Sequence, residues 1–250
     1  MLPPVFDATV RDDVLQLSRP ETRWLSTGHA GGKSRGPVAY NVSVPEGWDE
    51  MDVDGYVERR LDAAGFDEEG PTLLTGVSMR HARRARLGPV EVVATAGVSN
   101  PAALPVADST HSTAHSRTDE PPAGTVNVFV GTTRDLAAGA LANLIAVAAE
   151  AKTATLLAQT GFPGTTTDAI IAACDPAGET TLYSGSATEV GAATRACVRD
   201  ALCASLESRY SAADGNEIPD SVEDAKYGVV TDERAAVSQI LTDENDGEAL

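Results

Sequence analysis

Two charged side chains stand out inside a long apolar stretch of the chain. Between Leu136 and Thr167 the only charged residues are Glu150 and Lys152, within AAEAKTATLL, although 22% of the whole chain is charged. An alanine- and leucine-rich segment that excludes charge packs on most of its faces. A carboxylate and an ammonium kept there cost free energy unless they are paired or used. They are therefore our first candidates for chemistry.

The spacing of these two residues limits what they can do together. On a regular helix, residues two apart point about 200° from each other, so Glu150 and Lys152 cannot form an i, i+4 ion pair. Either the helix is irregular there or each side chain serves a different neighbour, and Glu150 shares a face with Thr153. The alternative to a catalytic role is two separate buried ion pairs, for example with Asp168 or an arginine.

A glycine- and threonine-rich loop leads into a third candidate. The run GFPGTTTD ends at Asp168, directly before the apolar segment AIIAAC. Backbone amides and hydroxyls of such a loop can bind amide or phosphate oxygens, with Asp168 as a base or an anchor. An ordinary turn, in which Asp168 has an Asx or N-cap role, is the alternative.

Further polar residues lie at or inside predicted strands. Ser99 and Asn100 end the apolar run VEVVATAGV, where polar groups often face a site, although a Ser-Asn-Pro turn explains them as well. Asn127 lies inside the strand TVNVF, and a strand-interior amide needs hydrogen-bond partners. It is either a structural residue or a site residue.

Two other motifs are weaker. The run GHAGGKS at 28–34 is one residue shorter than a phosphate-binding loop and falls between two predicted strands, which argues against a nucleoside triphosphate site. Its glycines still allow backbone amides to approach a ligand. His111 and His115 have metal-ligand spacing but lie in a Ser/Thr/Pro-rich segment, and no C-x-x-C pair exists. We therefore predict no metal site.

The elements that must position these residues follow from periodicity and turn residues. Three helices are predicted, at 52–65, 134–159 and 188–209, the last with a Thr188 cap. An arginine-rich linker is predicted at 80–86. Strands are predicted at 13–18, 22–27, 37–44, 72–78, 90–98 and 124–131 and after the run 165–175, and the run 179–187 is predicted to lead into a turn. Strands and helices do not alternate strictly, so we predict an α+β fold. Its mixed or antiparallel sheet packs against a few helices, including the buried alanine-rich helix at 134–159.

The domain prediction places a single domain at 1–210, with an exposed loop at 101–123 and an acidic extension at 211–250.

The N-terminus lacks the features of a signal peptide, and no sufficiently long apolar run has the flanks of a membrane span. The three cysteines are predicted to be reduced core residues. These features predict a cytoplasmic protein.

The net charge of −18 is extreme, and only three lysines accompany sixteen arginines. Such a composition is typical of proteins adapted to molar salt, where the Debye length is about 3 Å and the repulsion within an acidic surface is tolerated. The alternative is an acidic protein of an ordinary organism. Either way, the surface argues against nucleic acid or an anionic membrane as a partner.

Taken together, the segments resemble the adenosylcobinamide amidohydrolase family of corrinoid salvage, in its haloarchaeal form, from Trp24 to about Arg209. The segments that carry the resemblance are Leu25-Ser26-Thr27 with Gly31-Gly32 and Asn41, VATAGVSN (93–100), GTVNV (124–128), EAKT (150–153), TTDA (166–169) and YSGSATEVG (183–191).

This resemblance implies hydrolysis of the amide that joins a propionyl side chain of the corrin ring to aminopropanol. The products are adenosylcobyric acid and (R)-1-aminopropan-2-ol. The cobalt corrinoid is then the substrate, and no other cofactor is expected, while a metal requirement and a homo-oligomer both stay open. A non-catalytic corrinoid-binding protein of the same salvage route is the competing hypothesis.

Roles follow from the needs of amide hydrolysis, which requires an activated nucleophile, an oxyanion stabiliser and a proton donor. We expect Glu150 or Asp168 to activate water, with Lys152, or Ser99 paired with it, as the second choice. Asn100, Asn127 and the loop amides are expected to hold the carbonyl oxygen. The residues expected to bind substrate are Gly31, Gly32, Asn41, Asn100, Asn127, Thr153, Thr167, Gly185 and Thr188.

Overall fold

An eight-stranded mixed sheet lies at the centre of the fold. The computed structural model describes residues 4–45, 48, 51–106, 125–211, 215–225 and 227–238. The strands of the sheet are β1 (Asp7–Arg11), β2 (Val14–Ser26), β3 (Gly32–Ser43), β4 (Thr72–Thr75), β5 (Arg83–Leu87), β6 (Val90–Ala96), β8 (Val126–Thr132) and β10 (Ala169–Cys174). Their order is β4-β3-β2-β10-β8-β6-β5, and β1 pairs with β2. Among the described strands of this sheet, the pairs β3–β4 and β8–β10 are parallel and the others are antiparallel.

Two small two-stranded sheets flank this one. The first joins β9 (Asp135–Leu136) to β11 (Thr180–Thr181), and the second joins β7 (Ala102–Ala103) to β12 (Val229–Val230). The second sheet ties part of the predicted acidic extension to the rest of the chain. The Val229 amide donates to the Pro101 carbonyl at 2.9 Å, and the Thr231 amide donates to the Ala103 carbonyl at 3.0 Å.

Three α-helices cover the sheet, namely α1 (Val53–Ala63), α2 (Ala138–Thr160) and α3 (Glu189–Arg209). Helix α1 begins at Asp52, whose carboxylate accepts from the Gly55 amide at 3.0 Å, and α3 begins at Thr188, whose hydroxyl accepts from the Gly191 amide at 3.0 Å. Side-chain caps of this kind satisfy amides that have no partner inside the helix. The predicted positions of all three helices and the Thr188 cap are confirmed.

Helix α2 is the crossover that joins the parallel strands β8 and β10. By length and composition it is apolar enough to cross a membrane, with a mean hydropathy of 1.3, but half of that window is buried inside the protein. Buried residues such as Leu144, Ala148 and Leu156 pack with α3 and with Val128 and Val130 of β8 in one cluster. The predicted buried alanine-rich helix and the α+β class are therefore confirmed.

The other face of the sheet curls around a second core. Phe6, Trp24, Leu73, Phe129 and Ile171 meet there. The Leu74 carbonyl of β4 accepts a hydrogen bond from Asn127 of β8, although β3, β2 and β10 lie between these strands in the sheet order. The sheet is therefore strongly curved, and side chains of distant strands meet inside it.

Two predicted elements differ from the structure. The arginine-rich segment 80–86, predicted as a linker, forms part of a 3₁₀ turn (Met79–His81) and the edge strand β5. Its alternation of exposed arginines with half-buried side chains is typical of a strand, which the interpretation as a charge cluster overlooked. The predicted strands 13–18 and 22–27 form one strand, β2, with an irregularity between Ser18 and Thr22.

The glycine-rich run 28–34 lies in a β2–β3 hairpin as predicted, and no helix follows it. His111, His115 and most of the predicted loop 101–123 lie outside the described residues.

A buried carboxylate on β6 gives a test of stability against pH. Glu91 is fully buried, accepts from the Val5 amide at 3.0 Å and lies 3.1 Å from Arg84 Nε. Burial raises the pKa of Glu91, and the Arg84 charge opposes this only in part. A raised folded-state pKa adds stability below the unfolded pKa, and that contribution is lost as pH rises through the folded pKa.

We therefore expect the unfolding free energy of the wild type, relative to Glu91→Gln, to fall as pH rises above the ordinary pKa of a glutamate, about 4.3. Urea unfolding of both proteins at constant KCl concentration measures this difference. A difference that is independent of pH would contradict the prediction.

Candidate functional site

Four chain segments meet at one edge of the central sheet. The parallel strands β8 and β10 both begin there, after Thr125 and Asp168, and the antiparallel strand β6 ends there, before Asn100. Strand β2 ends at the same edge, where the Thr27 amide donates to the Ile170 carbonyl at 3.0 Å and the Ile170 amide donates to Thr27 Oγ1 at 2.9 Å. This convergence brings together residues that are far apart in the sequence.

Lys152 and Asp168 form an ion pair at this edge, with side chains only 10% and 12% exposed. The Asp168 carboxylate also accepts from the Val126 amide at 3.0 Å, from the Thr165 amide at 3.1 Å and from the Thr165 hydroxyl. An ionised carboxylate has about four acceptor positions, so these four donors occupy them. Asp168 is therefore suited to anchoring Lys152, and it has little capacity left to accept a proton from water.

The Lys152 ammonium keeps donor capacity for a ligand. An ammonium has three N–H groups, and among the described residues its hydrogen-bond partner is Asp168. A cationic donor in a largely buried position favours an oxygen that gains negative charge during a reaction. The arrangement is therefore suited to polarising a carbonyl group and stabilising the tetrahedral oxyanion that follows nucleophilic attack.

Gly164 packs directly against this pair. A Cβ atom at this position would lie 2.7 Å from Asp168 Oδ2 and 3.1 Å from Lys152 Nζ. Both distances are shorter than ordinary contacts of a methyl group, so a side chain there displaces the carboxylate or the ammonium. The glycine in the GFPGTTTD loop is thus required by the close approach of the ion pair.

For the amide hydrolysis that the sequence analysis predicts, we expect Gly164→Ala to lower kcat/KM by about 10–100-fold, because small misplacements of reacting groups have effects of that size. The matched control is Gly139→Ala in the first turn of α2, where nothing lies within 4 Å of an added Cβ. Steady-state kinetics of both variants measure the effect. Equal activity of the two alanine variants would show that the position of the pair does not matter.

Glu150 lies away from this site. Its side chain is 63% exposed and is 3.3 Å from Arg195 of α3, so the prediction that it is buried is wrong. The helix is regular here, and residues two apart face opposite sides, so that Lys152 faces the sheet while Glu150 faces solvent. Each residue serves a different neighbour, and the structure does not bring Glu150 together with Asp168.

A group of hydroxyls surrounds Asn100 at the end of β6. Asn100 Nδ2 donates to Thr166 Oγ1 at 2.7 Å and lies 3.4 Å from Thr167 Oγ1, which is 2.8 Å from Thr125 Oγ1. Asn100 is fully buried, and its Oδ1 has no hydrogen-bond partner in the described part of the chain. Ser99, half-buried, precedes it, but the predicted Ser99–Lys152 pair is absent among the described residues, where Lys152 binds Asp168 instead.

Asn127 and Asn41 form a buried chain of amides inside the curved sheet. Asn127 Nδ2 donates to Asn41 Oδ1 at 2.8 Å and to the Leu74 carbonyl at 2.9 Å, and Asn41 Nδ2 donates to Thr95 Oγ1 at 3.0 Å. Both N–H groups of Asn127 are therefore engaged within the protein. This leaves no donor for the predicted role of holding a substrate carbonyl oxygen.

Gly31 and Gly32 lie in the β2–β3 hairpin and line a cleft of about 330 Å³. The same hairpin borders a second cleft of about 510 Å³, lined by α1 and by the segment that leads into β4. A Cβ on Gly31 would lie 2.5 Å from the Ser26 carbonyl oxygen, so the tight turn requires glycine. The smaller cleft reaches Ser26 at the end of β2, and neither cleft is lined by Lys152 or Asp168.

Gly185 and Thr188 lie at the opposite edge. They form the N-terminal cap of α3, where the Thr188 hydroxyl donates to the Gly185 carbonyl at 2.8 Å and Glu189 pairs with Arg134 at 2.9 Å. The structure does not bring them together with Lys152. Thr153 is half-buried on α2, beside Lys152 in sequence.

Several groups that build the site have no signal in the sequence. The Val126 amide and the Leu74 carbonyl are backbone atoms, which any residue supplies. Thr165, three residues before Asp168, has the spacing of a side chain that caps a turn, and this signal was available. In the ranges that the structure describes, no group of three His, Cys, Asp or Glu residues is placed to hold a metal ion.

Comparisons with known proteins show which family the chain resembles. The family model of adenosylcobinamide amidohydrolase matches residues 5–214. An adenosylcobinamide amidohydrolase of Halobacterium salinarum is 57% identical over 235 residues, covering 93% of this chain and 99% of that protein. One of Methanosarcina mazei is 29% identical over 210 residues, covering 80% of this chain and 97% of that protein.

Among solved structures, the PH0078 protein of Pyrococcus horikoshii OT3 aligns with a TM-score of 0.40 and 12% identity, over 82% of this chain and 80% of that one. A similarity this weak supports no statement about the present chain. The family model and the Halobacterium relative each cover most of the chain, and on that basis the chain belongs to the adenosylcobinamide amidohydrolase family.

Proposed function

We propose that the chain hydrolyses the amide bond of adenosylcobinamide, giving adenosylcobyric acid and (R)-1-aminopropan-2-ol for corrinoid salvage. Family membership supports the substrate and the reaction. The observation that carries the proposal for the site is the Lys152 ammonium, which Asp168 holds in a largely buried position at the edge of the sheet. A non-catalytic corrinoid-binding protein does not need a cation fixed in this way.

In this proposal, the Lys152 ammonium donates to the oxygen of the scissile carbonyl. The oxygen of a water molecule bonds to the carbonyl carbon, and the negative charge that develops on the carbonyl oxygen lies against Lys152. The C–N bond then breaks, and the amine nitrogen takes one proton that came from the water. Asp168 acts as a positioning residue, because its other acceptor positions bind the Thr165 and Val126 groups.

The corrinoid is the substrate here, and the roles above use only side chains of this chain. Thr166 and Thr167 are exposed beside Asn100, and we place the attacking water against the Thr166 hydroxyl, which accepts from Asn100 Nδ2 at 2.7 Å. We also propose that the enzyme works in the cytoplasm at molar salt, since a net charge of −18 is tolerated best where the Debye length is about 3 Å.

The test is incubation of the purified full chain with adenosylcobinamide at KCl concentrations from about 0.1 M to about 3 M. Mass spectrometry then measures adenosylcobyric acid and aminopropanol. We expect both products in equal amounts and higher activity at high KCl, and parallel samples with EDTA test for a metal requirement. Binding of the corrinoid without turnover at any salt concentration would support the binding-protein hypothesis instead.

A further inference from the structure

The orientation of the Asn127 amide is fixed by its neighbours. Its Nδ2 lies 2.9 Å from the Leu74 carbonyl oxygen, which can only accept a hydrogen bond. A flipped amide would place two oxygens against each other at that position. Asn41 Oδ1, 2.8 Å away, reinforces the same orientation, because Asn41 uses its own Nδ2 to donate to Thr95.

This orientation leaves one acceptor without a donor. Asn127 is fully buried, and its Oδ1 has no hydrogen-bond partner in the part of the chain that the structure describes. A buried polar group without a partner destabilises the folded state, whereas the amide groups around it are satisfied. Asn127 therefore presents a fixed oxygen that needs an N–H or O–H donor from outside the network.

The network lies beneath the glycine-rich hairpin between β2 and β3. Gly28 packs against Leu73 and the Thr72 carbonyl of β4, the strand whose Leu74 carbonyl accepts from Asn127. In the same hairpin Ala30 has a φ of 48° and Gly32 a φ of 110°. A non-glycine residue at positive φ is strained, and such strain is concentrated at ligand-binding and mobile segments. Residues of the hairpin also line both clefts.

We infer that Asn127 Oδ1 accepts an N–H from a carboxamide of the corrinoid, which enters from the clefts when the 28–32 hairpin moves. This rests on the proposed function and adds a specificity determinant to it. Asn41 and the Leu74 carbonyl are positioning groups that hold the acceptor. A carboxylate in the same place would set oxygen against oxygen with no proton between them, so the site selects amides over acids.

The carboxamide that donates to Asn127 is either the amide that is cleaved or another amide on the corrin periphery. Binding separates them when absorbance is followed by stopped flow, before adenosylcobinamide is hydrolysed, with three ligands, adenosylcobinamide, adenosylcobyric acid and a corrinoid whose peripheral carboxamides are replaced by carboxylates. Working at about 3 M KCl screens the general repulsion of anions by the acidic surface. We expect the wild type to bind at least one of the two acids more than about tenfold more weakly than adenosylcobinamide.

Weak binding of adenosylcobyric acid assigns Asn127 to the scissile amide, and weak binding of the other acid assigns it to the periphery. Asn127→Ser is expected to lose this discrimination. The matched control is Thr155→Val, which removes a buried side-chain hydrogen bond to the Ala151 carbonyl within α2 and leaves the Asn127 network in place, so we expect it to lower stability and keep the discrimination.

Two results would overturn the inference. One is that the wild type binds all three ligands with affinities within about threefold of one another. This result overturns the inference even if Asn127→Ser does not fold. The other is a folded Asn127→Ser protein, verified by thermal unfolding, that still discriminates. Neither result depends on turnover. A wild type that binds and discriminates without producing adenosylcobyric acid would therefore contradict the proposed function and leave the inference about Asn127 standing.

Discussion

Lys152→Met is expected to lower kcat/KM for adenosylcobinamide by about 10²–10³-fold, the effect of removing one oxyanion donor. Methionine fills a similar volume with an unbranched apolar chain, so the packing of α2 against the sheet is kept while the charged donor is lost. The loss should appear mainly in kcat, because the donor binds the transition state more strongly than the ground state.

Glu150→Gln is the companion variant, since it removes the other charge of the same apolar stretch. Glu150 is 63% exposed and contacts Arg195, so we expect activity within about twofold of the wild type and a change in stability below about 1 kcal/mol. Steady-state kinetics at fixed KCl measure both variants. A large loss in Glu150→Gln with an active Lys152→Met protein would reverse the assignment and restore Glu150 as the catalytic residue.

Asp168→Ala is expected to lower the free energy of unfolding by about 3–5 kcal/mol, because it leaves a buried cation without its partner. It also removes the acceptor of the Val126 and Thr165 amides, at 3.0 and 3.1 Å, which hold the start of β8 and the loop before β10. Urea unfolding in constant KCl measures the change, and activity should fall with it, since the ammonium loses its fixed position.

The double variant Lys152→Met/Asp168→Asn separates charge from hydrogen bonding. Asparagine keeps one acceptor oxygen, and without Lys152 no cation remains to be compensated. We therefore expect the double variant to be more stable, by about 1–3 kcal/mol, than the summed stability losses of the single variants Lys152→Met and Asp168→Asn predict. Additive losses would mean that the two side chains do not interact in the folded protein.

How much of this site was predictable differs from residue to residue. The exclusion of charge from α2 pointed to Lys152, and the alternative of separate ion pairs named Asp168 and an arginine as partners, as the structure shows. The same reasoning failed for Glu150, because an alanine-rich helix can be apolar on all faces and still leave one of them in solvent. Composition alone did not show which face of α2 is exposed.

The fold was predicted only in outline, because some of its determinants are local in the sequence and others are not. Periodicity and caps located the three helices, since these signals are local in the sequence. The curvature of the sheet, which brings the Leu74 carbonyl to Asn127, depends on strand order and has no local signal. The position of a polar residue inside a predicted strand therefore pointed to Asn127, but the direction in which its amide faces, and so its capacity to accept and not to donate, required the three-dimensional structure.

The two halves of the site also differ in how they form as the chain folds. The Lys152–Asp168 contact closes only 16 residues within one strand–helix–strand crossover, whereas Asn41 and Asn127 are 86 residues apart. Contacts between nearby residues form early, and those that close long loops wait for the global topology. A partly folded chain thus assembles its charged pair before it can recognise an amide, and activity on the corrinoid becomes a readout of complete folding.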